Sequence, residues 1–162
     1  MAIDVIYEDN HLIAVNKASG DITQGDKTGD MPLPEKIKLW LAEKYKKEGN
    51  VFCGVIHRLD RPTSGLVIFS KTSKALSRMN EMFKNKEVQK VYWAIVETKP
   101  KTDSGSLLDY LKKNPDQNKS YSVKKGTPDA KESILDYKLI AQSDRYFLLE
   151  VYPKTGRHHQ IR

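Results

Sequence analysis

One short segment of the sequence concentrates side chains that can do covalent or electrostatic chemistry. Residues 57–65 read His-Arg-Leu-Asp-Arg-Pro-Thr-Ser-Gly, so the carboxylate of Asp60 is flanked by Arg58 and Arg61. Opposite charges nearby favour the ionised form of a carboxylate, which suits a nucleophile or an electrostatic stabiliser better than a general acid. An Asp–Arg pair that merely holds a turn explains the same residues, and without further information the residues favour that structural interpretation.

A second cluster of hydrogen-bond donors lies at the end of the sequence. Residues 152–162 place five potentially cationic side chains within their last nine positions, grouped around Gly156. Arginine offers a planar fork for phosphate or carboxylate, so this cluster could bind either, and a basic strand end on the surface is the structural alternative. His158 and His159 would point to opposite faces of a strand, and no acidic or thiol ligand has a useful spacing, so no metal site is expected.

The apolar pattern predicts the elements that must position these two segments. Apolar runs bounded by turn formers predict strands, apolar residues at helical spacing predict helices, and stretches rich in glycine, proline and polar residues predict loops. The predicted strands are 3–7, 12–15, 66–69 (buried and central), 88–96, 134–140 and 146–152. The predicted helices are 34–47 and a second helix capped by Thr72 or Ser73, with a long loop at 19–34 and an exposed hairpin or loop at 112–131.

Composition limits the class of protein. The chain has 162 residues, 38% hydrophobic and 30% charged, which indicates one soluble globular domain rather than a disordered or membrane-spanning chain. The single cysteine, Cys53, excludes an internal disulfide, and the opening residues carry no export signal, so a cytoplasmic location is expected. The net charge is +7, and residues 71–131 hold 14 Lys or Arg against 7 Asp or Glu. This stretch either attracts a polyanion or forms a solvated lysine-rich face.

The segment from His57 to Gly65 resembles the signature of RluA-type pseudouridine synthases, which isomerise uridine to pseudouridine within an RNA chain. Residues 90–96, Lys-Val-Tyr-Trp-Ala-Ile-Val, resemble the tyrosine-bearing strand of that family, and residues 155–162 resemble its last motif, in the expected order. The opening of the chain also resembles the family's start, with Ala18 where relatives commonly have proline. The resemblance covers essentially the whole chain. It implies an α+β fold with a mixed, largely antiparallel central sheet and flanking helices.

The resemblance also assigns roles to residues within these motifs. Asp60 would be the catalytic carboxylate, either attacking the ribose or removing a ribose proton, and Arg157 would pair with it. Tyr92 would stack on the target uracil and help to remove the proton from carbon 5, although an ordinary core tyrosine is the structural alternative. Arg58 would fill the space left by a flipped uridine. Further substrate contacts are implied for the remaining polar residues of the motifs, which are His57, Arg61, Thr63, Lys90, His159, Gln160 and Arg162. No metal and no organic cofactor is implied.

The implied partner is structured transfer or ribosomal RNA, with no membrane, no protein partner and a monomeric chain. Two alternatives stay open. One is an RNA-binding module of the same fold without turnover, and the other is a nucleosidase-type hydrolase, which would need a second carboxylate that the motifs do not supply. Residues 1–162 are expected to form a single catalytic domain without a separate N-terminal RNA-binding domain and lacking its C-terminal part. Such a truncation would expose apolar surface and an unpaired sheet edge.

Overall fold

The computed structural model describes residues 3–162, and the chain divides between Val88 and Gln89 into two compact units. We call residues 3–88 unit 1 and residues 89–162 unit 2. Each unit has its own sheet and its own apolar cluster, and every pair of strands in the described residues is antiparallel. The expected α+β class with antiparallel pairing is therefore confirmed. A single catalytic domain over the whole chain stays a prediction.

Unit 1 is a four-stranded sheet with two helices. Its elements are β1 (Val5–Glu8), β2 (Leu12–Lys17), α1 (Leu33–Tyr45), β3 (Gly54–Val55), β4 (Gly65–Ser70) and α2 (Ser73–Lys84), and the strand order is β1-β2-β4-β3. β2 runs alongside the whole of β4, from Leu12 opposite Ser70 to Lys17 opposite Gly65. The connection between β3 and β4 therefore emerges at the Lys17 end of the sheet, and this connection carries Asp60.

The core of unit 1 lies between α1 and one face of the sheet. Ile37 and Leu41 of α1 are almost fully buried with Val67 and Phe69 of β4. The predicted central position of β4 is confirmed. Burial on both of its faces was expected, but this is wrong for Leu66, which is 51% exposed, because α1 covers only the face that carries Val67 and Phe69.

α2 begins where its cap was predicted and packs beside β3. The side-chain oxygen of Thr72 accepts a hydrogen bond from the backbone N–H of Ala75 at 3.2 Å, which satisfies a donor that the first turn leaves open. Leu76 of α2 reaches Gly54 of β3. A Cβ atom on Gly54 would collide with the Ser70 hydroxyl and crowd Leu76, so a side chain at the start of β3 would require Ser70 to shift.

Glu8 ties the end of α1 to the sheet. Its carboxylate, 9% exposed, accepts hydrogen bonds from Nζ of Lys44 at 2.7 Å, from Nζ of Lys71 at 2.6 Å and from the hydroxyl of Tyr45 at 2.8 Å. Burial by itself would raise the pKa of Glu8, but the hydrogen bonds from these three donors outweigh it and lower the pKa to about 2. The carboxylate is therefore ionised in the folded chain at any ordinary pH.

Replacing Glu8 by glutamine is expected to lower the free energy of unfolding by about 1–3 kcal/mol at pH 7. Because the pKa is lower in the folded than in the unfolded chain, the wild-type advantage is present above pH 4.5 and is lost as the pH falls from 4.5 towards about 2. Urea unfolding at a series of pH values measures this difference, with the exposed Glu48→Gln as the matched control. An equal difference at pH 3 and pH 7 would contradict the expectation.

Unit 2 is a five-stranded sheet. Its strands are β5 (Tyr92–Val96), β6 (Ser104–Asn114), β7 (Lys119–Val123), β8 (Lys131–Gln142) and β9 (Phe147–Pro153), in the order β5-β9-β8-β6-β7. β5, β8 and β9 confirm the three strands predicted for this region. The segment predicted as an exposed hairpin or loop contains β7, which pairs with the end of β6 as a hairpin. Most of β6 itself was not predicted.

The two faces of the sheet in unit 2 differ in burial. One face carries the buried residues Leu135, Tyr137 and Val151, against which Tyr92 packs. The opposite face of β5 carries Trp93 and Ile95, each 71% exposed, and β5 is an edge strand of its sheet. None of the helices within residues 3–162 is long and apolar enough to cross a membrane.

Candidate active site

Asp60 lies in the connection between β3 and β4, and its side chain is exposed. The backbone N–H of Thr63 donates to the carbonyl of Asp60 at 3.0 Å and closes a turn around the carboxylate. Gly65, with φ at +133°, then leads the chain into β4 in a conformation that residues with a side chain rarely adopt. The turn thus presents Asp60 at the surface, immediately before a buried strand.

Lys17 anchors this turn from inside unit 1. Its side chain is 1% exposed, and Nζ donates to the backbone carbonyls of Ala18 at 2.9 Å, Arg61 at 3.1 Å and Thr63 at 2.7 Å. Burial lowers the pKa of Lys17, and the nearby charge of Asp21 offsets part of this effect. Three carbonyl acceptors satisfy the three donors of the ammonium group, so its burial is compensated.

The residues that follow Lys17 complete the anchoring. The hydroxyl of Ser19 donates to the carbonyl of Pro62 at 3.0 Å, the N–H of Gly20 to that of Arg61 at 2.8 Å, and the hydroxyl of Thr23 to that of Leu59 at 3.2 Å. Together with Lys17 and the turn bond, these contacts satisfy all five consecutive carbonyls of residues 59–63. The peptide planes on both sides of Asp60 are therefore fixed, which positions its side chain before any substrate arrives.

Arg61 holds a distant part of the loop that precedes α1. Its Nη1 donates to Asp30 at 2.7 Å, and its Nη2 donates to Asp26 at 2.9 Å and to the hydroxyl of Thr28 at 2.7 Å. Hydrogen bonds from Thr28 and from Arg61 lower the pKa of Asp26 to about 2, and Arg61 also lowers the pKa of Asp30. Arg61 was predicted to contact substrate, but its guanidinium is engaged by two ionised carboxylates.

The other polar residues of the signature differ in their surroundings. His57 is half-buried: its Nε2 accepts the backbone N–H of Ile68 at 3.0 Å, and its ring stacks on Phe83 of α2 at 5.2 Å. These contacts give His57 a structural role beside its predicted contact with substrate. Arg58 is exposed and donates from Nη1 to the side-chain oxygen of Gln24 at 2.5 Å. Thr63 is half-buried and contributes its carbonyl to Lys17.

Tyr92 and Lys90 lie in unit 2. Tyr92 is the first residue of β5, pairs with Val151 of β9 and is half-buried against the apolar cluster of that sheet. This packing agrees with the structural alternative for Tyr92 and also fixes where its ring lies. Lys90 is half-buried, and a Cβ on Gly156 would lie 3.5 Å from its Nζ, so the Lys90 side chain reaches the turn that follows β9.

Gln160 organises that turn. Its side-chain oxygen accepts from the hydroxyl of Thr155 at 2.8 Å and from the backbone N–H of Arg157 at 2.9 Å, while its amide nitrogen donates to the carbonyl of Ile134 at 2.9 Å. Arg157 is exposed, and its Nε donates to the carbonyl of Glu132 in β8 at 2.8 Å. Gln160, predicted as a substrate contact, is thus half-buried and holds the segment that carries Arg157.

The two neighbouring histidines were expected on opposite faces of a strand, and this expectation is wrong. They lie in a turn after β9, where His159 has φ at +54° and the two rings stack at 3.7 Å. Nδ1 of His158 is 2.9 Å from the hydroxyl of Ser120, which links the turn to β7 and was not foreseen. Arg162 is exposed at the end of the same turn. Within residues 3–162, no group of three or more His, Cys, Asp or Glu side chains could hold a metal ion.

The structure therefore groups the predicted residues in two sets. Asp60 lies with Arg58, Arg61, His57 and Thr63 in unit 1. Tyr92 and Lys90 lie in unit 2 with the turn that carries Arg157, His159, Gln160 and Arg162. The pairing of Asp60 with Arg157 stays a prediction.

Comparison with known protein families matches residues 11–162 to the RNA pseudouridylate synthases. The chain belongs to this family. Curated members with similar sequences include ribosomal large subunit pseudouridine synthase D of Borreliella burgdorferi, 34% identical over 99% of this chain, and ribosomal large subunit pseudouridine synthase C of Rickettsia bellii, 34% identical over 98%. The chain spans about half the length of these two relatives, 49% and 50%. It covers 67% of tRNA pseudouridine synthase C of Vibrio cholerae, to which it is 32% identical.

Solved structures support the fold of the family. Human RNA pseudouridylate synthase domain containing 4 superposes with a TM-score of 0.82 over 98% of this chain and 62% of its own, at 21% identity. Human RNA pseudouridylate synthase domain containing 1 gives a TM-score of 0.74 at 19% identity, over 99% of this chain and 63% of its own. The pseudouridine synthase fold that the sequence motifs implied is therefore confirmed.

Proposed function

We propose that this chain carries the catalytic core of an RNA pseudouridine synthase in which Asp60 acts on the ribose of the target uridine. The observation that carries the proposal is the anchoring of Asp60: the five consecutive carbonyls of residues 59–63 are hydrogen-bonded, two of them by the buried ammonium of Lys17, and Asp60 itself is exposed. A rigid backbone under an exposed carboxylate is the arrangement that positioned catalysis requires.

The reaction is an isomerisation that needs no oxidant, reductant or second substrate. The bond between N1 of the uracil and C1′ of the ribose breaks, the base turns, a bond forms between C5 and C1′, and the proton on C5 is transferred to N1. Asp60 starts this sequence either by attacking C1′ or by removing a ribose proton. Tyr92 supplies the aromatic face on which the base turns and helps to remove the proton from C5, and Arg157 pairs with Asp60.

The substrate is transfer or ribosomal RNA, because relatives named for each class resemble this chain to a similar extent. The glycosidic bond is inaccessible within a paired helix, so the uridine is flipped out or lies in a loop. Arg58, exposed beside Asp60, fills the space that the base leaves.

The decisive experiment incubates the chain with transfer and ribosomal RNA transcribed in vitro and analyses the nucleosides by mass spectrometry. We expect pseudouridine in intact RNA and no free uracil. Free uracil would indicate a hydrolase instead, and RNA that is bound but unchanged would indicate a binding module without turnover.

The lysine-rich hairpin of unit 2 is proposed to hold the RNA backbone. Lys112 and Lys113 lie near the end of β6, and Lys124 and Lys125 follow β7 directly. Replacing all four by glutamate is expected to weaken RNA binding and to reduce the slope of log Kd against log salt by up to about 3. Each phosphate contact releases counterions when it forms, so fewer counterions are released when these contacts are lost. Filter binding at several salt concentrations measures this slope.

The matched control compares two adjacent pairs of exposed lysines. Lys46→Glu with Lys47→Glu, in unit 1, changes charge as much as Lys124→Glu with Lys125→Glu does. Only the pair next to the hairpin should change the slope. An unchanged slope in the fourfold variant would show that these lysines merely solvate the surface.

A further inference from the structure

The loop that precedes α1 contains a segment that neither the motifs nor the proposed chemistry explains. Residues 24–30, which we call the strap, are all exposed, whereas Ile22, Thr23 and Leu33 beside them are buried. An exposed segment loses conformational entropy when it is ordered, and it does not recover that cost through apolar burial. The strap is ordered instead by polar contacts, and two of its partners are the arginines on either side of Asp60.

Arg58 and Arg61 contact the strap at two points, and Arg61 is its anchor, because Arg58 is proposed to enter the space that the flipped base leaves. Arg58, two residues before Asp60, donates to Gln24, and Arg61, directly after Asp60, donates to Asp26 and Asp30. These arginines stand at positions −2 and +1 relative to Asp60, so the strap is tied to residues close to Asp60 on each side of it in the sequence. The nucleotides next to a uridine bound at Asp60 would therefore lie near the residues that contact the strap.

The contacts within the strap separate residues that hold it from residues that remain available. Nη1 and Nη2 of Arg61 are occupied by Asp26, Thr28 and Asp30, and the backbone N–H of Thr28 donates to Asp26 at 2.9 Å. A phosphate that approached these two terminal nitrogens would have to compete with two ionised carboxylates. The side-chain NH2 of Gln24, whose oxygen accepts from Arg58, and the exposed ammonium of Lys27 have chemistry that recognises base edges and phosphates.

We infer that the strap is a recognition element for the nucleotides that flank the target uridine, and that Arg61 is a positioning residue that holds the strap rather than a contact to RNA. The inference rests on the proposed function, because it takes RNA as the ligand of the Asp60 site. Gln24 and Lys27 of the strap would then be the residues of unit 1 that distinguish one RNA loop from another.

The test uses a pool of RNA hairpins transcribed in vitro, each with one loop uridine and random nucleotides on both sides of it. The chain, the variant Asp26→Asn with Asp30→Asn, and Arg61→Gln are each incubated with the pool. Both the RNA retained on the protein and the pseudouridine sites are then sequenced. The wild-type chain should prefer particular flanking nucleotides by about fivefold or more, which is what one good contact to a base edge gives.

Both variants should still bind the pool, but their preference for particular flanking nucleotides should fall to less than about twofold. A protein that combines Arg61→Gln with the two Asp→Asn changes should show the same preference as either variant, because both release the same strap. The matched control, Asp129→Asn with Asp144→Asn, makes the same charge change at exposed sites in unit 2 and should keep the wild-type preference. Thermal melting confirms that each variant is folded.

Salt dependence distinguishes positioning from direct contact. If Arg61 positions the strap, adding Arg61→Gln to Lys27→Gln leaves the slope of log Kd against log salt at the value of Lys27→Gln alone, because the one phosphate contact that the strap offers is already gone. A further reduction by about 1 would make Arg61 a phosphate contact and would overturn the inference, as would a flanking preference that survives in the two variants. Retained RNA is scored separately from pseudouridine. A wild-type chain that selects flanking nucleotides without converting the uridine would therefore refute the proposed function and still support the strap.

Discussion

Replacing Asp60 by asparagine is expected to reduce pseudouridine formation by about a thousandfold or more while leaving the fold and the RNA affinity close to wild type. Asparagine has the shape of aspartate but cannot attack the ribose or accept a proton from it. The fold should tolerate the change because the carbonyls of residues 59 and 61–63, which Asp60→Asn does not alter, accept the hydrogen bonds that hold the turn. Exposure of the side chain also means that no packing is lost.

Release of tritium from RNA labelled at C5 of uracil measures the rate, and circular dichroism with filter binding tests the fold and the affinity. Asp116→Asn, an exposed turn residue of unit 2, is the matched control and should keep the wild-type rate. Turnover by the Asp60 variant within tenfold of the wild-type rate would show that another group performs the chemistry.

Lys17→Met should be the most damaging change outside the signature. Methionine fills much of the same volume, but the carbonyls of Ala18 and Thr63 lose the donor that reaches them from Lys17. Buried acceptors without a donor are costly, so we expect the free energy of unfolding to fall by about 2–4 kcal/mol. The turn would also become loose, and misplacement of a catalytic group by about 1 Å can reduce the rate by about a hundredfold.

Urea unfolding and the same tritium assay test both effects of Lys17→Met. Lys38→Met removes a partly exposed lysine of α1 that pairs with Glu35, and it should change stability by less than about 0.5 kcal/mol. If Lys17→Met instead kept wild-type stability with a full rate, the buried ammonium would not be what holds the Asp60 turn.

The local sequence pattern predicted most of the secondary structure correctly, because helices and caps depend on residues within one or two turns of each other. The predicted helix 34–47 corresponds to α1, Leu33–Tyr45, and the cap at Thr72 was correct. β6 was not recognised because its residues do not alternate: Leu107 and Leu108 are adjacent and both more than half exposed. What makes this segment a strand is its pairing with β8 from Ser104 to Leu111, which lies beyond the range of local pattern.

The candidate site could also be predicted only as far as the local sequence pattern reaches. The sequence located Asp60 and the two arginines, but the partners of Arg58 and Arg61 lie in residues 24–30, more than 30 positions earlier in the chain, and the local pattern around Asp60 does not encode such contacts. Lys17, which anchors the turn, is marked by its own local pattern. It follows Ile13 and Val15 at the two-residue spacing of a strand, so its side chain shares their buried face. A lysine in that position must find buried acceptors, and the Asp60 turn supplies them.

The crowding at Gly54 limits how this protein can change over evolutionary time. The residue begins β3, the strand that leads into the Asp60 connection, and a Cβ there would collide with the Ser70 hydroxyl and lie 3.0 Å from Leu76 and 3.1 Å from Phe52, so even alanine would require the Ser70 side chain to shift. A smaller residue at position 70 removes the tightest of these contacts, while Leu76 and Phe52 still limit the size of the side chain. In a saturation library, alanine at residue 54 should be recovered more often in a background with glycine or alanine at residue 70 than in the wild-type background. The close approach of β3 and β4 at Gly54 and Ser70 thus limits which sequences can evolve at these two positions.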